Sequence, residues 1–216
     1  MKNVFLIIVI FLATNIFSQE YKFDKFIMYE QQNFFMKYKR NILVYINTKN
    51  PSYYIVADNW GKEMHIYLTD KKQMMMHSFT TDNFSSESNF KYFNSYALKS
   101  SNFNDACTKF GIYEEKIDST NAKLITTIYL NKKKTKIQCQ YETFLEPFEY
   151  DGLDNFLQML QGHYLPCEKI QTSQKSIPNL IKDGSEKIIN IETKLKKIES
   201  IDIIIKVDLK KIVLKK

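Results

Sequence analysis

Residues Asn50 to Phe79 read "NPSYYIVADNWGKEMHIYLTDKKQMMMHSF", three short strands joined by two turns. Tyr53 to Asp58 runs into Asn59-Trp60-Gly61, where the glycine supplies the positive φ of a tight reversal. Glu63 to Thr69 and Gln73 to Thr80 follow, joined through Asp70-Lys71-Lys72. Nearly every strand position is apolar or aromatic, whereas a hairpin sheet with one wet side alternates. What covers the second side therefore decides the fold.

Outward from this stretch the pattern stays β. Tyr21 to Gln31 alternates loosely, Ile42 to Thr48 ends at Asn50-Pro51, and Asn89 to Leu98 lies beyond a Ser- and Asn-rich loop. Lys123 to Leu130 and Thr135 to Leu145 form a hairpin. The latter alternates cleanly, with Ile137, Cys139, Tyr141, Thr143 and Leu145 on one face and Lys136, Gln138, Gln140 and Glu142 on the other. One helix is expected over about 151–162. Asp151 caps it, Leu153, Phe156, Leu157 and Leu160 form its stripe, and Gly162 ends it. Thr172 to Gly184 reads as a linker. Ile188, Ile191, Leu195 and Ile198 then follow helical spacing, and Ile201 to Leu209 alternates as a strand.

The N-terminus, "MKNVFLIIVIFLATNIFSQE", has the layout of a secretory signal. Lys2 is basic, Val4 to Ala13 is apolar, and Ser18 precedes a cleavage point at Gln19. The apolar run is shorter than the ~20 residues of a membrane-spanning helix. The expectation is an exported protein, periplasmic or secreted. Its segments are a signal peptide over 1–18, a β-rich domain over 19–170, and a linker with a basic helix and strand over 171–216. The chain carries 31 basic and 24 acidic residues, and from Lys187 onward nine Lys face four carboxylates. Such a tail suits an anionic membrane surface or an envelope protein. Nucleic acid is excluded as a partner on chemistry, since Arg40 is the lone guanidinium.

Cys107, Cys139 and Cys167 are an odd count for an oxidising compartment; one disulfide and one free thiol is the simplest account, with Cys139–Cys167 favoured. The chain has no phosphate-cradling glycine loop, nucleophile elbow, metalloprotease helix or dinucleotide fingerprint. No catalytic residue and no cofactor is assigned, and the leaning is away from an enzyme. A three-residue turn at Asp70 to Lys72 would set His65 opposite His77, with Met75 on the same face, a donor set suited to monovalent copper. The blander account is that methionine fills gaps in a core and that a one-residue slip dissolves the pair.

"PSYYIVADNWGKEMHIY" resembles the hairpin of the periplasmic outer-membrane lipoprotein-carrier family, in which an Asp-x-Gly-Lys type turn leads into an aromatic-rich strand. The resemblance covers Asn50 to Phe79. It implies a strongly curved antiparallel sheet or incomplete barrel, plugged by one or two helices, with an apolar cavity for acyl chains. The family leads with a helix where Tyr21 onward reads as strand here, and the basic tail is an addition. The expected class is mainly β with α. The expected function is non-enzymatic binding of an apolar or lipid-like ligand in the envelope. Tyr53, Ile55, Met64, Ile66, Leu68, Met74 and Met76 would line the site, with Phe156 and Leu160 as lid. The alternative is an envelope-interaction protein docking through its tail, with a soft-metal binder or a hydrolase behind both.

Overall fold

The computed structural model describes residues 18–60, 63–81, 90–98, 110–116, 122–132, 135–161, 175–183 and 191–208. Residues 1–17, Cys107, Gly162, His163 and Cys167 fall outside these, as does the disulfide question. The strands are β1 (Ser18–Asn33), β2 (Tyr38–Ile46), β3 (Tyr53–Trp60), β4 (Glu63–Asp70), β5 (Met75–Thr81) and β6 (Phe90–Ala97). They continue with β7 (Phe110–Lys116), β8 (Ala122–Lys132), β9 (Thr135–Pro147), β10 (Ser176–Asp183) and β11 (Ile191–Asp208). One helix, α1 (Leu153–Gln161), separates β9 from β10. The strands form a single 11-stranded sheet in the order β6-β5-β4-β3-β2-β1-β11-β10-β9-β8-β7. Every pairing is antiparallel, and β6 and β7 stand at the two ends of an open sheet. The described chain is thus mainly antiparallel β, as expected, with one short helix and an open sheet, and it is nearly all β rather than α+β.

The largest departure from expectation is at the C-terminal end. Ser176 to Asp183, read above as linker, is β10, and the helical spacing from Ile188 resolves as β11. β11 lies between β1 and β10 and pairs with β1 from Ser18↔Asp208 to Asn33↔Ile191. It is a central strand, so residues 176–183 and 191–208 of the expected extension are part of the sheet. Its lysines lie along the surface beside acids. Lys194 meets Glu192 at 2.6 Å, Lys197 meets Glu199 at 2.6 Å, Lys196 meets Glu30 at 3.3 Å, and Lys206 meets Glu20 at 2.9 Å. Exposed pairs of this kind add little stability.

Both faces of the middle strands are covered, by different means. In β2 the five residues Ile42 to Ile46 are all buried. Ile42, Val44 and Ile46 join the core beneath α1, with Ile27, Tyr29, Tyr54, Leu124, Leu145, Ile177 and Ile181. Leu43 and Tyr45 join a second core on the far face, with Tyr21, Phe23, Phe26, Ile55, Ile66, Leu68, Phe79, Ile205 and Val207.

An irregularity in the β1–β11 ladder allows β1 to serve both cores. Phe23 pairs with Ile203 and Lys25 with Ser200, so Asp24 of β1 stands opposite two residues of β11, Ile201 and Asp202. Tyr21 and Phe23 face the far core before the bulge; Phe26 faces it after, while Ile27 and Tyr29 turn to the helix. The carboxylate of Asp24 holds the bulge by accepting from the Thr48 amide at 2.8 Å and the Thr48 hydroxyl at 2.5 Å.

The helix stripe is as expected. Leu153, Phe156, Leu157 and Leu160 are all buried in the core beneath α1. The cap differs: α1 starts at Leu153, so Gly152 rather than Asp151 occupies the capping position, and its carbonyl accepts from the Asn155 amide at 3.0 Å. A Cβ on Gly152 would lie 2.5 Å from the ring of the buried Tyr150. Side chains then pin α1 in place. Asn155 donates to the Pro51 carbonyl and to the Tyr150 hydroxyl, each at 2.9 Å, and Lys71 meets Asp154 at 2.5 Å. Gln31 donates to the Leu160 carbonyl at 3.3 Å and to Thr193 at 3.0 Å, tying the last turn to β1 and β11.

Two outcomes follow for stability. Truncation after Ser200 removes Ile203, Ile205 and Val207 from the far core and strips Ser18 to Phe23 of β1 of their partners, so cooperative urea unfolding should vanish. Gly152→Ala forces the Tyr150 ring to move and should cost about 1–3 kcal/mol in the same measurement.

Candidate functional site

The expected lining residues divide between the two faces. Tyr53, Ile55, Ile66 and Leu68 belong to the far core, whereas Phe156 and Leu160 pack beneath the helix on the other side of the sheet. Met76 sits opposite Thr69 and Tyr96, on the face away from Ile66 and Leu68. Met74 is in the β4–β5 turn with φ 53°. Met64 pairs with Asn59 in the β3–β4 ladder, and its side chain is outside the described residues. The lid and the lining therefore do not enclose one space. The far core is instead occupied by rings. Tyr21 meets Tyr53 at 5.1 Å, Tyr45 meets Phe90 at 5.1 Å, and Phe79 lies 5.8 Å from Tyr92 and 6.2 Å from Phe90, all edge to face.

The histidine pair does not form either. Asp70 pairs with Met75 and Leu68 with His77, while His65 pairs with Asp58. The turn has four residues, because Asp70 closes it by accepting from the Gln73 amide at 2.8 Å while Met74 takes the left-handed conformation. The longer turn, begun one residue later at Lys71, moves the register by three residues and, three being odd, turns β5 over. His77 thereby enters the far core. Among the described residues, no group of three or more His, Cys, Asp or Glu is placed to hold a metal.

What the register does assemble is a buried polar chain. Asp70, His77, Ser95 and Tyr21 are each no more than 3% exposed. Tyr21 donates its hydroxyl proton to Asp70 Oδ2 at 2.9 Å, and Gln19 donates to the same oxygen at 3.2 Å. The Tyr21 oxygen also lies 3.1 Å from His77 Nε2, and His77 Nδ1 lies 2.5 Å from Ser95 Oγ. Ser95 in turn lies 2.6 Å from the Tyr92 hydroxyl. With its one proton given to Asp70, Tyr21 can only accept from His77, which fixes the Nε2–H tautomer. Nδ1 then accepts from Ser95, and Ser95 accepts from Tyr92. The protons all point one way, from Tyr92 to Asp70, and these five groups are each partnered, while the buried Oε1 of the attached Gln19 has no partner among the described residues.

Burial pushes the His77 imidazole down to about 4, with Asp70 pulling weakly the other way. The Tyr21 phenol is pushed far above its ordinary value, first by burial and then by the charge of Asp70. Serine, histidine and aspartate in one line invite comparison with a nucleophilic triad, but the roles differ. Tyr21 stands between His77 and Asp70, and Ser95 is 0% exposed, so its oxygen offers no approach to a substrate. The chain is an ordering device for the core. Tyr21, Asp70, Tyr92 and Ser95 escaped the sequence reading because the β5–β6 register that sets His77 opposite Ser95 carries no local signal. No protein-family model matches the chain, and no curated protein matches it in sequence.

Because His77 is neutral in the folded state and charges more readily when unfolded, folding loses stability as pH falls from about 6.5 towards about 4. The loss should reach about 2 kcal/mol by roughly pH 5, and His77→Gln should flatten that slope in urea titrations. Tyr21→Phe, which takes one donor from Asp70 and leaves His77 Nε2 without its partner, should cost about 1–3 kcal/mol at neutral pH.

Proposed function

We propose that this chain is an exported, non-catalytic interaction protein of the cell envelope, a braced sheet that works through the surface it presents. One observation carries the reading. The apolar side chains on both faces of the central strands pack on one another, while the adjoining residues Phe34, Phe35 and Met36 stand 45%, 76% and 64% exposed at the β1–β2 turn. Export is supported by the signal-like N-terminal sequence. Cleavage before Gln19 would cost the sheet only the Ser18 pairing.

The strand order supports reading the β11–β6 half as a curled, incomplete barrel of the kind implied by the lipoprotein-carrier resemblance. β6 comes within 8 Å of β11 although five strands separate them. In this reading the hollow of that half-barrel is taken up by aromatic rings. A carrier version would need Tyr53, Ile55 and Leu68 to part from the rings that now cover them.

The test has two parts, both on the exported full chain. Native mass spectrometry of purified protein should show no stoichiometric lipid, and Phe34→Ser/Phe35→Ser/Met36→Ser should move the protein from the envelope fraction to the soluble one. Co-purified lipid would favour the carrier version, and an unchanged distribution of the triple variant would remove the surface reading.

A further inference from the structure

Resting on that reading, we infer that the β1–β2 turn is a lipid-inserting tip that seats its Phe-Phe-Met point in the headgroup region of an anionic bilayer. The hairpin reaches outward. β2 pairs with β3 only as far as Ile42↔Asp58, so Tyr38 to Asn41 run about 13 Å beyond that last pair at ~3.3 Å per residue. β1 and β11 brace the other side up to Asn33↔Ile191. The turn itself, Phe34 to Lys37, is held in shape. Asn33 is buried and its side-chain oxygen accepts from the Met36 amide at 2.7 Å, while Lys37 takes a left-handed φ of 54°. A tip already fixed in this form gives up little conformational freedom on insertion.

The surroundings select the partner. Among residues 30–41 and 191–196 there are five basic side chains, Lys37, Lys39, Arg40, Lys194 and Lys196, against Glu30 and Glu192. Those two carboxylates already lie beside Lys39, Lys194 and Lys196. Tyr38, half-buried behind the point, is a residue type favoured at headgroup depth. An apolar point backed by surplus positive charge matches the two attractions that hold peripheral proteins on anionic lipid. Three side chains are too few for a stable protein interface, which takes about 800 Å² from each partner.

The experiment uses the full chain and vesicles of phosphatidylcholine with about one-third phosphatidylglycerol, compared with phosphatidylcholine alone. Co-sedimentation with the anionic vesicles should weaken roughly tenfold or more for Phe34→Ser/Phe35→Ser/Met36→Ser, and measurably for Lys37→Gln/Lys39→Gln. A local reading comes from Phe35→Trp in a Trp60→Phe background. Its emission should shift to the blue and be quenched by lipids brominated in the acyl chains. Unchanged emission with vesicles, or equal sedimentation of wild type and triple variant, would overturn lipid insertion. If the triple variant then still leaves the envelope fraction in cells, the tip meets a protein and the broader reading stands. If it does not, both fall.

Discussion

The fold depends on one irregularity in the β1–β11 ladder, where Asp24 stands opposite two residues of β11. Without the bulge at Asp24, Tyr21, Phe23, Ile27 and Tyr29 would all lie on one side of the sheet by simple alternation. With it, Tyr21 and Phe23 feed the far core, as Phe26 does beyond it, while Ile27 and Tyr29 feed the core beneath α1. The carboxylate that fastens the bulge reaches across to Thr48, just beyond β2, and β2 is the strand buried on both faces. A small hydrogen-bonded irregularity thus lets a single sheet carry two hydrophobic interiors.

The far core contains more polar chemistry than an apolar interior needs. Asp70 accepts from Tyr21, Gln19 and the backbone of its own turn, so one carboxylate both closes the β4–β5 reversal and anchors the buried hydroxyl–imidazole chain. A satisfied network of this kind penalises other strand registers, because any slip of β5 would bury His77 or Ser95 without a partner. It accounts for the presence of a histidine in the core without invoking a reaction.

Where the side-chain period was undisturbed, the sequence was readable. The alternation of Tyr141, Thr143 and Leu145 and the stripe of α1 are found as expected, and Ile66 and Leu68 do share a buried face. Where a bulge intervenes, the pattern misleads. In β11 the ladder passes from Lys197 to Leu195 and leaves out Lys196, so Leu195 and Ile198 pack against the same core at an odd spacing that mimics a helix. In β10 the ladder skips Asn179 after Pro178, which has no amide proton to give, and a polar stretch with a proline passes for a linker. The β4–β5 register was lost to the choice between a three- and a four-residue turn, decided by the side chain of Asp70. The exposed Phe34-Phe35-Met36 turn was visible as letters, but its exposure became apparent only once β1 and β2 were paired around it.

The partner that seals the long inner edge of β1 is the last in sequence of the described strands. Until β11 arrives, the β1–β6 meander has an unpaired flank of 16 residues at Ser18–Asn33, and the far core lacks Ile205 and Val207. Contacts between segments this distant in the chain form slowly and late. Closure of the far core therefore waits on the pairing of β11, and until then the β1–β6 meander keeps one flank open along its whole length.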